Sequence, residues 1–455
     1  MRWFLSTFSF CFFLGLISIA SGAMAQDDDD PILSLLKDPD REMRAVALEH
    51  IRSAAPGEEA TRNFAKLLSG LSDDATSELL VALADRGDPA AAPSVRAAIK
   101  STKSEDVRVA AIRALGKLGK PEDLPVLIEF LDSDSKDTRE AAHRSLVVLP
   151  GEDVSAAMAE AMTAAPTEQR VTLIEILTTR RARNAIDAIL QAAVADDAIV
   201  RGSAMASLGT FAEPEHIPGM VQGVLAAEKG RERDNAEKAI MLVCHRIEDK
   251  DEQAAPLLAA MDDLSPADRV TLLSTLGRIG GPQARDVIED AIADEKLHDA
   301  GLTAICNWPF GSIAFRLLEL ARTEENAGHR RTALRAMIRV APFPDERSDS
   351  LRLDLMRTAM AMSWEDADRL LILDRLKAVR TVETLRYVLP YTNDNRFSEQ
   401  ACLTVVELAH HSGLREAHRE EFHAALDHVI ETSKDATVID RAQRYKKGQT
   451  WVRPK

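Results

Sequence analysis

Apolar residues in this chain recur with a helical spacing, and the whole pattern then repeats about every 32 residues. The clearest unit reads Glu105-Asp-Val-Arg-Val-Ala-Ala-Ile-Arg-Ala-Leu-Gly116. With Leu115 as its anchor, equivalent apolar positions are Ile51, Leu83, Leu146, Leu177, Leu208, Leu242, Leu276, Ile305, Met337, Leu376 and Val405. Successive gaps run from 29 to 39 residues. A period held that long marks a repeat architecture.

Positions inside the unit agree with the anchors. Seven residues before the anchor stands an arginine in eight units: Arg44, Arg108, Arg139, Arg170, Arg201, Arg269, Arg330 and Arg369. Four before it, Ala47, Ala111, Ala142, Ala204, Gly301, Ala333 and Ala401 are small. Three before it come larger aliphatics such as Leu48, Ile112, Ile174, Met205 and Leu273. Offsets of 0, −3, −4 and −7 lie on one side of an α-helix. The small residue lets a neighbouring helix come close, and the aliphatics fill the layer between repeats. A second helical pattern fills the space between anchors, over residues 124–131, 186–194, 284–292 and 313–321. Two helices per unit, unable to bury their apolar faces alone, predict an all-α fold: an α-solenoid of about twelve stacked helix pairs.

The pattern Asp/Glu-x-Val-Arg-x-x-Ala-x-x-Ala-Leu-Gly resembles the HEAT repeat, in the HEAT-like form found also in bilin lyases. The resemblance covers nearly all of residues 31–450 and is strongest over 106–149. Ala304-Ile-Cys-Asn-Trp-Pro-Phe310 and Ala333-Leu-Arg-Ala-Met-Ile-Arg-Val340 are similar to HEAT arrays of exported bacterial proteins. The resemblance implies that the recurring arginines, each with an acidic residue nearby, form a ladder between adjacent repeats. It also implies that the second helix of each pair lines a concave surface. Thr76, Asn235, His298 and Ser398 interrupt the arginine series. On this reading residues 31–412 form the array and 413–448 cap it, with one long helix over 414–433 and a last one over 436–447. Residues 449–455 are a basic tail.

The N-terminus has a different character. Arg2, an apolar stretch over residues 3–20, and Ser21-Gly22-Ala23-Met24-Ala25 make a secretory signal peptide cut after Ala25, with 26–30 as a disordered acidic leader. An uncleaved anchor is the alternative, at the lower length limit for a membrane span. The expected location is periplasmic or secreted. Removal takes one basic residue and no acid, so the formal charge goes from −16 to −17. That acidity weighs against nucleic acid, whose phosphates demand clustered Lys and Arg.

Candidate chemistry is sparse. The sequence holds no Gly-x-Ser-x-Gly elbow, no His-Glu-x-x-His pair and no phosphate-cradling loop, so no catalytic residue and no cofactor is assigned. His410, His411, His418, His423 and His428 cluster, but spacings of five from 418 to 428 are wrong for ligand pairs on one helix face, and no metal site is assigned. Cys244, Cys306 and Cys402 are too far apart for a disulfide framework and read as buried small hydrophobes.

Two positions before each anchor a row runs Glu49, Val81, Arg113, Arg144, Glu175, Ala206, Ile240, Ser274, Thr303, Arg335, Asp374 and Leu403. It has neither one sign nor an aromatic series, which disfavours single-stranded nucleic acid and sugar stacking. A protein partner remains. Arg113, Arg144, Arg335 and Trp308 are the candidate surface-binding residues. The expectation is a non-catalytic binding scaffold; the alternative is an enzyme, or an accessory module of an exported hydrolase or lyase. Residues 441–455 hold six basic residues and no acid, with Tyr445 and Trp451 among them, a segment suited to weak docking on an envelope or membrane surface.

Overall fold

The computed structural model describes residues 31–54, 56–363 and 365–451. The signal peptide, the acidic leader and the end of the basic tail lie outside the described residues. Those described form α-helices joined by short turns and 3-10 segments, with no strand among them.

The helix Glu105–Leu118 shows why these residues fold so. Glu105 and Asp106 occupy the first turn and Lys117 the last, each opposing the helix dipole. Val107, Ala111, Ile112, Ala114, Leu115 and Leu118 make one buried stripe. The Gly119 N–H donates to the Leu115 carbonyl at 2.7 Å and closes the helix. Pro121 then opens a 3-10 turn, Pro121–Asp123, which leads into the companion helix Leu124–Glu129. This alternation of a long anchor helix with a companion recurs throughout.

Eleven of the twelve anchors are fully buried. Leu242 is not: it is 51% exposed, and its neighbour Val243 is buried instead. Taking Val243 as the anchor puts Ile240 at −3 and Ala239 at −4, both buried and both of the expected type. The helix Arg231–Cys244 ends in a continuous apolar run, so periodicity alone misplaced its face by one residue. Ile240 thereby leaves the exposed row for the core.

Consecutive anchor helices pack directly on each other, as Glu105–Leu118 does on Asp73–Arg86 and Lys136–Val148. The small residues at −4 are buried in every unit that has one. A Cβ added at Gly301 would come within 2.7 Å of the Ile292 backbone nitrogen, so glycine is required where that anchor helix meets its companion.

The array divides into two compact units, one ending at Val154 and the other beginning at Ser155. The 31-residue gap from Leu146 to Leu177 runs through this boundary unchanged, which is why the period gives no sign of it.

At the C-terminus the expected long helix over 414–433 is two helices, Ser412–Ala417 and Arg419–Thr432. His418, at φ −127° and ψ 45°, breaks them. Arg419–Thr432 pairs with Ala436–Lys446, and both pack on Ser398–Ala409. Tyr445 is buried there, its hydroxyl 2.9 Å from His410 Nδ1 and its ring beneath the guanidinium groups of Arg415 and Arg441. This aromatic closes the last apolar layer.

Candidate functional site

The recurring arginines serve first as clamps inside their own repeat. Seven of the eight, all but Arg170, sit in the first turns of an anchor helix and reach back to carbonyl oxygens five to seven residues earlier, across the turn from the companion helix. Arg44 donates to Asp38 and Pro39, and Arg201 to Ala195 and Asp196. Arg330 donates to Glu324 and Glu325, and Arg108, Arg139, Arg269 and Arg369 make equivalent bonds. These carbonyls lie past the end of a helix and lack intrahelical partners, so a guanidinium satisfies them. In Arg231–Cys244, where the series shows Asn235, Arg233 does this by donating to Ala227.

A contact between repeats comes second and at fewer positions. Arg44 grips Glu78 of the next anchor helix with two hydrogen bonds, and Arg201 grips Glu232 the same way. The Arg44 guanidinium holds the Glu78 carboxyl below its usual range. Burial pushes Glu232 up, but hydrogen bonds from Arg201 and the Glu228 N–H outweigh it and the net shift is downward. His298, an apparent interruption, takes the arginine's place: Nδ1 lies 2.7 Å from the Ile292 carbonyl six residues back, and Nε2 lies 3.0 Å from Glu324.

Buried carboxylates reinforce these joints, and the sequence did not single them out. Asp123 accepts from its own Lys120 N–H at 2.9 Å and pairs with Arg96 of the preceding repeat. Glu237 accepts from Ser274 and Arg278 of the following repeat. Asp368 accepts from both Arg331 and Arg335.

Asp368 also borders a groove of about 750 Å³ between consecutive repeats. Arg322, Arg330 and Arg331 line one side, and Glu365 and Asp368 the other. Leu334 and Met362 supply its apolar surface. The groove therefore carries both signs of charge over a greasy lining. A smaller one of about 280 Å³ lies in the first unit beside Arg41, Arg52, Glu78 and Val81.

The surface row is only partly as expected. Arg113 and Arg144 are exposed, with Arg144 bound to Glu140 on its own helix. Arg335 is exposed but committed to Asp368. Trp308 is no surface residue: it is 4% exposed, packs near Gly280, and its carbonyl accepts from Arg339. Pro309 ends the helix there and turns the indole into the junction between repeats.

The C-terminal histidines go separate ways. His410 meets Tyr445, and His428 Nε2 meets Thr392 Oγ1 at 2.8 Å. The three cysteines among the described residues are free thiols, and burial pushes Cys244 and Cys306 up to about 12 and Cys402 to about 11. At neutral pH they are protonated and poor nucleophiles. Basic residues before the tail are largely engaged: Arg441 with Glu407, Arg444 with Asp440, and Lys446 with Asp427. No described helix is long and apolar enough to cross a membrane.

Residues 61–147 match the family of HEAT repeats. No curated protein matches the chain. Among solved structures it is similar to Kap121p bound to Ste12p, at 13% identity and a TM-score of 0.49, over 91% of this chain and 53% of that one. Kap121p bound to Pho4p is similar at 14% identity and a TM-score of 0.48, over 92% of this chain and 54% of that one. A Kap95p complex with RanGDP gives 11% and 0.45, over 91% and 66%. This chain spans about half the length of the Kap121p structures it matches.

Proposed function

We propose that this chain is an exported, non-catalytic scaffold that presents the inner, concave side of its repeats to a protein partner. The groove beside Asp368 carries the reading. Its size, its apolar lining at Leu334 and Met362, and the exposed charges of Arg322 and Glu365 on its rim, the latter shared with Arg331, suit an extended peptide segment bearing both charges. A net charge of −16 argues against a polyanion as the occupant. Arginine-rich rims with apolar centres are typical of surfaces that bind proteins.

Arg322, exposed at the groove, is the position from which to test this. A photo-crosslinking residue there, irradiated in intact cells, should capture a protein, and Glu365→Lys should diminish the adduct. Absence of any protein adduct would overturn the reading.

Export is supported by the signal-peptide pattern ending at Ala25. Mass spectrometry of the mature N-terminus should find Gln26 first. Weak docking of the basic tail on an envelope surface belongs to the same proposal. It rests on Lys447, Arg453 and Lys455, since the neighbouring cations are paired within the fold. Deleting residues 449–455 should release any membrane-associated fraction.

A further inference from the structure

One repeat joint is built from imidazoles where its counterparts use guanidinium. At the Arg44–Glu78 and Arg201–Glu232 joints a permanent cation neutralises the carboxylate of the next repeat. Where His298 holds the arginine phase, the carboxylate comes instead from the C-cap of the companion helix: the Glu324 side chain, only 9% exposed, faces His298 and His329. A carboxylate so far from water needs positive charge beside it.

The orientation of the two rings is set from behind. His298 Nδ1 lies 2.7 Å from the Ile292 carbonyl, an acceptor only, so Nδ1 donates there and Nε2 is the nitrogen turned to Glu324 Oε2 at 3.0 Å, where a proton holds the two together and a metal ion would take its place. His329 turns Nδ1 to the same oxygen at 3.6 Å, while its Nε2 is 3.4 Å from Asp299 Oδ1. One donor atom from each of His298, Glu324 and His329 lies within 4.8 Å of the others. A tetrahedral zinc ion at about 2.0–2.1 Å from its ligands sets donor atoms about 3.3–3.5 Å apart, so the two separations from Glu324, 3.0 and 3.6 Å, each lie within tenths of an ångström of that value. An imidazole that offers one nitrogen to the ion and the other to a carbonyl or carboxylate is the usual arrangement around such metals.

We propose that His298, Glu324 and His329 bind a divalent transition-metal ion of the zinc class, with the Ile292 carbonyl and Asp299 orienting the two rings. Two imidazoles and one carboxylate favour zinc over the harder magnesium or calcium, which take oxygen ligands. His298 begins one anchor helix, Glu324 caps the C-terminus of the companion helix Ala314–Thr323, and His329 sits in the first turns of the next anchor helix. The ion therefore pins consecutive repeats within the second unit. Three protein ligands leave a fourth position for water or for a donor from another molecule. This inference is independent of the groove and of any protein partner.

The test uses the full chain without an affinity tag, stripped with EDTA and titrated with ZnCl₂ by calorimetry, with thermal denaturation in parallel. One saturable equivalent and a zinc-dependent rise in Tm are expected, with no comparable rise from MgCl₂. Glu324→Gln and His329→Ala should each weaken binding by at least tenfold, and Asp299→Asn by about tenfold. His298→Arg restores the residue used at the other joints. It should keep the metal-free Tm and lose the zinc response, which separates loss of a ligand from loss of fold. An unchanged zinc affinity in His298→Arg, no saturable site in the native chain, or loss of the site in His418→Ala/His423→Ala would each overturn the proposal.

Discussion

Gly116 and Ser145 touch across consecutive anchor helices so closely that a Cβ on Gly116 would stand 2.5 Å from Ser145 Cβ. Ser145 Oγ meanwhile donates to the Ile112 carbonyl at 2.9 Å, which fixes the approach. Gly116→Ala must push the helices apart, and the expected cost is about 1–3 kcal/mol from overpacking. Gly202→Ala, which meets nothing within 4 Å, should be neutral or stabilising. Urea denaturation of both variants checks the contrast.

Arginines at the same phase of the repeat should differ in weight according to burial. Arg201 is buried and bonds two carbonyls and a carboxylate, so Arg201→Ala leaves Glu232 half-buried without its cation. A loss of about 2–4 kcal/mol is expected. Arg139 is exposed and bonds only the carbonyls of Ser133 and Asp134, so Arg139→Ala should lower stability by about 0.5–1 kcal/mol. Equal losses in calorimetry would contradict the clamp hierarchy.

Acid should loosen the joints between repeats. Glu78 is held low first by the Arg44 hydrogen bond, and Asp197 by the Thr167 hydroxyl and then the Ile199 N–H. A depressed folded-state value means that the stabilisation is complete above the ordinary carboxylate range. It is then lost as pH falls through the lower folded value. Below about pH 4.5 the native chain should therefore lose stability faster than Glu78→Gln, which has no such proton to take up. Parallel pH-dependent melting curves would show the two converging.

Trp308 offers a check on core against surface. Its indole is buried at a repeat junction, with Nε1 lacking a hydrogen-bond partner. Trp308→Phe should cost little beyond packing, whereas Trp308→Ala should lose about 3–5 kcal/mol. Fluorescence of the native protein should show a blue-shifted, quencher-resistant tryptophan, which Trp308→Phe removes.

The repeat was legible in the sequence because its contacts are short-range. Each anchor such as Leu115 packs on the helix before and the helix after, so burial imprints a regular period. Legibility failed where that link was loose. The run Ile240-Met-Leu-Val-Cys244 offered several apolar faces, and the one-residue slip to Val243 needed the neighbours to decide it. The break at His418 has no proline or glycine to announce it. Asp123, Glu237 and Asp368 look like ordinary surface acids in the sequence, and only the facing arginines make them core groups. The histidine joint escaped notice because its members are 26 and 5 residues apart. A usable signal existed: His298 stands at the arginine phase, and His329 lies one residue before the next arginine of that series.

Stacked helix pairs that shield each other's apolar faces are the basis of all these expectations, and hydrogen exchange on the intact protein tests that most directly. The slowest amides should fall in the anchor helices, recurring about every 32 residues through both units. Protection confined to a single block of sequence, with fast exchange in helices such as Glu105–Leu118 or Ala327–Val340, would contradict the account.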